Sequence, residues 1–451
     1  MRADLTSGSI PELIKKMALP AAIGLFFQAM YNATDAFYVG QLSVTALAAV
    51  SISFPIYFLI LSIGGGISIA ANALSSKARG EKNVEHAKTI GMQAITFTIF
   101  ISIIAGVAGV LSADWLFETI GATGELHRLA VEYMTWIYYG VSFFFLTMVL
   151  NGVLNSIGDT KTFGKVLVFG FFLNVLLDPW FMYGWFGFPA MGVAGVALAT
   201  VITQIIATII LSYHVLKKDL IKLELKADLS NWIRILLQAI PVTLQHASVS
   251  LGFLIITKFV SDFGENAIAI FGIGTRIDQL VILPAIGIAT AVVPLVGQNF
   301  GAKKLERVME TYRKAIEYST KFLVISIVIV LIFADNLAGI FTKDKEVIVG
   351  TAYYLRITAI AYAATAVAII SGSVLQGLAK AHLSLVMAFL RFFVVTIPAI
   401  LFFTYFLGLK EMGIWISILL ASVLVAIFGY WYVMREIKKL GLTLKDAEKN
   451  K

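Results

Sequence analysis

Residues 12–39 read ELIKKMALPAAIGLFFQAMYNATDAFYV, a nearly unbroken apolar run that carries Asp35 in its second half. About 20 apolar residues are enough to cross the roughly 30 Å hydrocarbon core of a bilayer as an α-helix. Eleven more runs of this kind follow, so we predict twelve transmembrane helices. They lie at approximately residues 12–39, 45–75, 89–112, 127–156, 162–184, 190–215, 232–260, 267–298, 315–335, 346–376, 382–407 and 411–434. The expected fold class is an all-α integral membrane protein.

The composition agrees with lipid as the solvent. Of the 451 residues, 59% are hydrophobic and 14% are charged, whereas a soluble domain carries about 25% charged residues. Cysteine is absent, which excludes disulfides and thiolate sites. The net charge of +8 would suit nucleic acid, but the basic residues occupy short segments between apolar runs. We therefore expect contact with a lipid bilayer and no nucleic-acid partner.

The basic residues also predict the orientation of the chain. If both termini lie inside, 27 of the 35 Lys and Arg residues fall on the inner side, 5 on the outer side and 3 within spans. The three intramembrane residues are Lys258, Arg276 and Arg391. Because cytoplasmic loops are enriched in Lys and Arg, we expect a multi-pass protein of the cell membrane with both termini in the cytoplasm. An odd number of spans would remove this asymmetry.

The two halves of the sequence repeat each other when position i is compared with position i + 221. The matching segments include Leu19-Pro20 with Ile240-Pro241, Ala46-Leu47-Ala48 with Ala267-Ile268-Ala269, and Met191-Gly192-Val193 with Met412-Gly413-Ile414. Six spans per copy give both copies the same topology, related by a pseudo-two-fold axis along the membrane normal. We predict a six-helix lobe at 1–213, a cytoplasmic connector at 214–231, and a second six-helix lobe with a basic tail at 232–451. Duplication without transport is the alternative interpretation.

Two carboxylates lie inside predicted spans, where an ionised group costs about 3 kcal/mol on insertion scales. Asp35 precedes Gly40, the end of the first span, by five residues, and Asp178 precedes Gly184, the end of the fifth, by six. At 1.5 Å per residue both lie about 8–9 Å from the outer end of their helix. Two carboxylates at one depth indicate a shared site, although each could instead be a hydrogen-bonded packing group.

Polar residues accompany both carboxylates. Gln28, Asn32 and Asp35 follow an i, i+4, i+7 spacing on one helix face, and Asn174 precedes Asp178 by four residues. Thr200, ten residues into the sixth span, reaches a similar depth. Removal from water favours the neutral form of a carboxylic acid, and amide hydrogen bonds partly offset this effect. Asp35 is therefore the candidate proton carrier.

The second half lacks these polar groups. At the same offset, Asp35, Asn174 and Asp178 correspond to Ile256, Val395 and Ala399, so we expect the ion-coupling chemistry in the first lobe. Polar and aromatic residues within spans are candidates for a substrate cleft that binds flat cations. They are Gln28, Asn32, Tyr31, Tyr139 and Arg276, with Met30, Tyr57 and Phe143 as further aromatic or methionine candidates. A structural role for Arg276 and Asp278, and packing roles for Gln245 and His246, are the alternatives, and Lys258 is expected to snorkel to the interface.

Several segments resemble the multidrug and toxic-compound extrusion (MATE) family over nearly the whole chain. They are YNATDAFYVG at 31–40, KARGE at 77–81, NSIGDTK at 155–161, NVLLDP at 174–179 and MGVAG at 191–195, followed by Ala199-Thr200. The resemblance implies two six-helix lobes and export of organic cations in exchange for protons or sodium. The branch with a Glu in the seventh span and an Asp in the tenth is not matched. The sequence looks closer to the branch related to DNA-damage-inducible protein F.

The resemblance also implies a set of site residues. The acidic site of the family falls on Asp35, Asn174, Asp178 and Thr200, and Asn151 is a further match near the inner end of its helix. If sodium is the coupling ion, Asp35, Asn174, Asp178 and Thr200 would hold it. No other cofactor is expected.

The sequence therefore predicts a proton-coupled antiporter, with sodium as the alternative ion, that exports cationic amphipathic compounds. It is expected to act as a monomer and not as an enzyme. One alternative is a lipid-linked glycan flippase of the same superfamily, which typically needs a strongly basic cleft, whereas only three basic residues lie within spans. Another is a membrane-embedded transferase, which needs an acidic metal motif or a nucleophile–base pair, and the sequence offers neither.

Overall fold

The computed structural model describes residues 4–224 and 226–449. Within these ranges all the regular secondary structure is helical and there is no strand. The helices are α1 Ile10–Leu42, α2 Val44–Gly80, α3 Val84–Ile120, α4 Gly124–Asn155, α5 Lys161–Tyr183, α6 Gly192–Lys217, α7 Leu229–Ser261, α8 Glu265–Gly301, α9 Leu305–Gly339, α10 Lys345–Thr358, α11 Ala361–Gly377, α12 Ala381–Phe406 and α13 Lys410–Lys449. Arg2 and Lys451, two of the residues that predict the orientation, lie outside the described residues.

Eleven of the described helices are long and apolar enough to cross a membrane, and α10 with α11 makes a twelfth span that is bent by 55°. This confirms the prediction of an all-α membrane fold. Several helices extend past their apolar runs and end at residues that cap them. At the start of α3, for example, Asn83 Oδ1 accepts a hydrogen bond from His86 N at 3.0 Å. The same helix ends at Gly121, whose φ of 92° is the left-handed conformation that glycine tolerates.

The repeat in the sequence reappears in the positions of the helices. The helices α2 and α8 begin at Val44 and Glu265, and both contain 37 residues. The starts of α3 and α9, at Val84 and Leu305, are separated by the same offset. The offset that relates the two halves of the sequence therefore also relates the starts of their helices.

The chain divides into two compact units. The first unit contains Pro20–Thr243, and the second contains Asp4–Leu19 together with the chain from Leu244 onward. The divisions thus fall inside α1 and α7, and not in the predicted connector at 214–231. Hydrogen bonds explain why the N-terminal segment belongs to the second unit and why the connector belongs to the first.

In the second unit, the N-terminal segment is fixed to α8 because Leu5 N donates to Gln298 Oε1 at 3.1 Å and Asn299 Nδ2 donates to Leu5 O at 3.0 Å. In the first unit, the connector is fixed to α3 because Gln93 Nε2 donates to Lys226 O at 2.8 Å and Asp228 N donates to Gln93 Oε1 at 2.9 Å.

The twelfth described helix, α12, changes its winding twice. Residues 390–396 and 401–406 form π-helical turns, with Pro398 between them. Proline has no N–H to donate and its ring displaces the carbonyl of the preceding turn, which accounts for the wider turns around it. The winding changes which side chains of α12 face the interior of the second unit.

Candidate functional site

Close backbone contacts bring three helices together around Asp35. A Cβ atom on Gly164 of α5 would lie 2.6 Å from the carbonyl oxygen of Pro20 on α1. Tyr38 Oη of α1 donates to Val175 O of α5 at 3.2 Å. A Cβ atom on Gly195 of α6 would lie 2.6 Å from Phe181 O of α5. Small residues at these crossings let the backbones approach, as they do between membrane helices in general.

Four of the predicted ion-coupling residues, Asp35, Asn174, Asp178 and Thr200, meet at this junction. Asn174 Nδ2 donates to Asp178 Oδ1 at 2.8 Å. Thr200 Oγ1 lies 3.5 Å from Asp35 Oδ2 and 3.1 Å from its own helix acceptor, Val196 O. The Asp35 carboxyl group also interacts with the side chains of Asp178 and Asn174. Asp35 is 6% exposed and Asn174 and Asp178 are fully buried.

Four buried oxygens in this cluster have no hydrogen-bond partner among the described residues: Tyr31 Oη, Asp35 Oδ1, Asn174 Oδ1 and Asp178 Oδ2. An unpaired buried charge is costly, and two neighbouring carboxylates disfavour each other's ionisation. A single proton between the carboxyl groups relieves this repulsion, and so does a small cation, because hard cations take oxygen ligands. We call Tyr31, Asp35, Asn174, Asp178 and Thr200 the acidic cluster.

A cavity of ≈ 70 Å³ lies in the first unit beside the acidic cluster, and Gln28, Tyr31 and Asn32 of α1 line it. Tyr57, whose ring packs edge-to-face on Phe144 at 5.9 Å, forms part of its wall. Gln28 and Asn32 of the polar stripe predicted on α1 therefore face a cavity, whereas Asp35 does not line it. Its volume suits a few water molecules, and drug-sized ligands occupy sites of about 300–1,000 Å³. We call it the first-unit cavity.

Other predicted residues lie elsewhere in the described chain. Tyr139 is 64% exposed, packs on Trp136, and does not line the first-unit cavity. The reason is angular: Tyr139 and Phe144 are five residues apart on α4, which is about 140° around a helix. Asn151 is half-buried, and its Oδ1 has no hydrogen-bond partner among the residues that the structure describes. It lies one turn beyond Thr147, which lines the cavity.

The second unit holds a larger cavity of ≈ 420 Å³, which we call the second-unit cavity. Asp278 and Arg391 line it, whereas Arg276 is exposed and does not. The prediction of Arg276 as a cleft residue failed because the sequence of α8 does not indicate whether position 276 or position 278 faces inward. Asp278 accepts hydrogen bonds from Tyr354 Oη of α10 at 2.7 Å and from Tyr362 Oη of α11 at 2.5 Å, two partners that are distant from it in the sequence.

The remaining candidates have packing or surface positions. Gln245 Oε1 accepts hydrogen bonds from Ser384 Oγ at 2.7 Å and Gln376 Nε2 at 3.2 Å. The backbone carbonyl of His246 accepts a hydrogen bond from Ser250 Oγ at 3.3 Å. The side chain of Lys258 is 79% exposed and lies 3.7 Å from Asp262.

The family model MatE matches residues 20–180 and matches again at residues 241–402. The chain belongs to the MatE family. The starts of the two matches, at residues 20 and 241, differ by the offset of the repeated helices. The MATE resemblance of the sequence is thereby confirmed, while the placement in the branch related to DNA-damage-inducible protein F stays a prediction.

Relatives of this MatE protein match it along its whole length. It is 25% identical over 450 residues to the "FAD transporter" of Shewanella oneidensis, covering 99% of both chains. It is also 25% identical over 445 residues to the "probable multidrug resistance protein YoeA" of Bacillus subtilis, covering 96% of both. A solved MOP superfamily transporter from Pyrococcus furiosus, described as having a binding pocket of reverse polarity, superimposes with a TM-score of 0.92 at 25% identity, over 97% of this chain and 98% of that one. The protein is therefore a multi-pass membrane transporter and not an enzyme.

Proposed function

We propose that this MatE protein is a secondary antiporter of the cell membrane that exports cationic amphipathic compounds in exchange for protons. Asp35 is the main protonation site, and Asp178 and Asn174 adjust its affinity for the proton. The observation that carries this proposal is the pair of buried, interacting carboxyl groups whose second oxygens, Asp35 Oδ1 and Asp178 Oδ2, have no partner among the described residues. Relatives named for multidrug resistance or multidrug export support the export of several compounds.

The mechanism follows from charge. When Asp35 is ionised, the acidic cluster attracts a cation, and Tyr57 and Phe144 offer aromatic faces to it. When Asp35 takes up a proton, its hydroxyl can donate to Asp178 and the attraction for the cation falls. Proton and substrate then compete for one unit, and this competition couples their opposite movements.

Binding of a drug-sized cation requires the first-unit cavity to expand. Its present volume of ≈ 70 Å³ is too small. Pro20 lies inside α1 and removes one backbone hydrogen bond there. We assign the expansion to bending of α1 at Pro20, which moves Gln28, Tyr31 and Asn32 away from α5.

The proposal includes an orientation and an oligomeric state. The distribution of Lys and Arg, 27 against 5, favours both termini in the cytoplasm. The acidic cluster is then in the outer half of the membrane, where external protons reach it. All residues of the cluster belong to one chain, so the protein is proposed to act as a monomer.

Sodium is the alternative coupling ion. Asp35, Asn174, Asp178 and Thr200 supply side-chain oxygens, and the amide oxygen of Asn174 has no donor among the described residues. A cation uses this oxygen directly. A pH gradient and a sodium gradient imposed separately on the same vesicles distinguish the two ions.

FAD is a second candidate substrate, because one full-length relative is named as a transporter of it. The diphosphate of such a compound needs a protein cation in a cavity of substrate size. The first-unit cavity lacks one, whereas Arg391 lines the ≈ 420 Å³ second-unit cavity. A lipid-linked glycan flippase has no comparable observation in its favour.

Binding of a fluorescent organic cation to the purified protein, measured across pH, tests the proposal. Affinity should fall as pH falls through the range in which Asp35 is protonated. If one proton replaces one cation, the limiting slope is about tenfold per pH unit, or about 1.36 kcal/mol. Asp35→Asn should flatten this dependence, and the exposed control Asp114→Asn should retain it. A parent protein whose affinity does not change with pH contradicts direct competition.

A further inference from the structure

The second-unit cavity has the size and the lining of a small-molecule site. Its ≈ 420 Å³ fall within the range of about 300–1,000 Å³ that such sites occupy. Most of the wall is apolar or aromatic, including Phe253, Phe271 and Phe392. The charged side chains that line it are Asp278 and Arg391. A few polar groups in an apolar wall give a bound molecule its orientation.

The two charged groups differ in how they are satisfied. Each carboxylate oxygen of Asp278 accepts a hydrogen bond from a tyrosine, Tyr354 or Tyr362. Arg391 Nη2 donates to Ser422 Oγ at 3.2 Å, and its guanidinium lies 5.3 Å from the ring centroid of Phe392. In the described part of the chain, no carboxylate oxygen lies within 4.0 Å of the Arg391 guanidinium, and Asp278 attracts it only from a greater distance. The arginine therefore keeps unused donors at the cavity wall.

A charged guanidinium inside a membrane span costs free energy unless it binds a partner. Arginine presents five N–H donors in a planar fork, which matches the geometry of a carboxylate or a phosphate. Charged side chains inside transmembrane segments are rare and commonly mark a substrate or ion pathway. The neutral hydroxyl of Ser422 accepts from only one of the nitrogens of the guanidinium, and the ring of Phe392 accepts no conventional hydrogen bond.

The local backbone fixes Arg391 in this position. Arg391, Phe392 and Thr396 lie in the π-helical turn at 390–396 and all line the cavity. Thr396 Oγ1 donates to Arg391 O, five residues earlier, at 2.7 Å. A Cβ atom on Gly252 of α7 would lie 2.2 Å from the ring of Phe392, so glycine leaves the room that this ring needs. π-turns of this kind occur frequently at functional sites.

We propose that the second-unit cavity binds the carboxylate or phosphate group of an aromatic substrate, with Arg391 as the anion-binding residue. The aromatic part of the substrate packs on Phe271 and Phe392. This inference rests on the proposed function in one respect, namely that the bound compound is a transported substrate. It extends the substrate class from organic cations to aromatic zwitterions and anions.

Two pairs of fluorescent probes test this assignment, because the members of each pair differ only in the anionic group. Rhodamine 110 has a free carboxylate, and rhodamine 123 is its methyl ester. 4-Methylumbelliferyl phosphate has a phosphate that 4-methylumbelliferone lacks. Binding of all four to the full chain in detergent is measured for the parent, Arg391→Gln, Arg391→Lys and the exposed control Arg276→Gln.

Arg391→Gln should weaken binding of rhodamine 110, of the umbelliferyl phosphate, or of both by tenfold or more, as expected for loss of a charge-assisted hydrogen bond. Binding of the uncharged or esterified partner should not fall by more than about twofold. Arg391→Lys should retain part of the preference, and Arg276→Gln should retain all of it. Comparable thermal unfolding of the variants establishes that they are folded.

Equal loss for both members of each pair assigns Arg391 a structural role and overturns the proposal. No loss for either anion overturns it as well. The test is separable from the antiport mechanism, because the latter predicts a pH dependence that Asp35→Asn removes. Anion selectivity that depends on Arg391, found together with pH-independent cation binding, would leave the binding site standing and reject the proton competition.

Discussion

Substitution of Gly195 by alanine probes the junction that holds the acidic cluster together. The new Cβ atom would lie 2.6 Å from Phe181 O, and ordinary contact begins at 3.4 Å. The helices α5 and α6 must therefore separate by about 0.8 Å, because the obstructing atoms are backbone atoms that cannot rotate away. Overpacking of this size costs about 1–3 kcal/mol. We expect Gly195→Ala to lower the unfolding temperature by about 1–3 °C, since the entropy of unfolding of a chain of this length is about 1 kcal/mol/K.

The same displacement acts on the site. Thr200 is five residues from Gly195, and its Oγ1 is already 3.5 Å from Asp35 Oδ2, so a shift of this size breaks that contact. A weak hydrogen bond of this kind contributes about 0.5–1 kcal/mol, and cation affinity should change by about two- to fivefold.

Tryptophan fluorescence during heating and cation binding at fixed pH measure the two effects of Gly195→Ala. Gly65→Ala is the matched control, because nothing lies within 4 Å of a Cβ atom built on this helical glycine of the same unit. If Gly195→Ala unfolds at the same temperature as Gly65→Ala, α5 and α6 are not packed as closely as described.

Two further predictions concern other parts of the chain. Asp278→Asn should leave proton-driven exchange intact, because the second unit lacks counterparts of Asp35, Asn174 and Asp178. If Asp278→Asn abolishes exchange as completely as Asp35→Asn, the coupling site is not confined to the first unit. Burial raises the pKa of Asp159, but hydrogen bonds from Lys218 and Thr162 outweigh this effect and hold the pKa below its usual value. The Asp159 carboxylate therefore stabilises the fold above about pH 4, and this stabilisation is lost as the pH falls further. Asp159→Asn should therefore destabilise the protein by about 1 kcal/mol near pH 7 and by progressively less toward pH 3, and a difference in unfolding temperature that stays constant across this range contradicts the assignment.

Much of the fold follows from local signals in the sequence. Apolar runs of membrane length predict the spans because each helix satisfies its own backbone in lipid. The bend between α10 and α11 was not predicted, since neither a proline nor a glycine marks residues 359–360. The division of the chain inside α1 was not predicted either, because it depends on contacts of Leu5 with Gln298 and Asn299, which lie in the other half of the sequence.

The acidic cluster was accessible to sequence analysis for a physical reason. A carboxylate within an apolar span is rare and easily recognised in the sequence. The number of residues to the end of each helix then places Asp35, Asn174 and Asp178 at a similar depth in the membrane. The second-unit cavity was not accessible in this way. Its wall combines side chains of α7, α8, α10, α11, α12 and α13, and the position of Arg391 depends on a π-turn that no short motif predicts.

Transport in vesicles tests the central claim most directly. Parent protein, Asp35→Asn and the exposed control Asp114→Asn are reconstituted, a pH gradient is imposed, and movement of a fluorescent cation and of protons is recorded in the same sample. We predict that the parent and Asp114→Asn move the cation against its gradient while protons move in the opposite direction, and that Asp35→Asn does neither although it is folded. Proton-driven cation transport by Asp35→Asn at the parental rate would contradict the account.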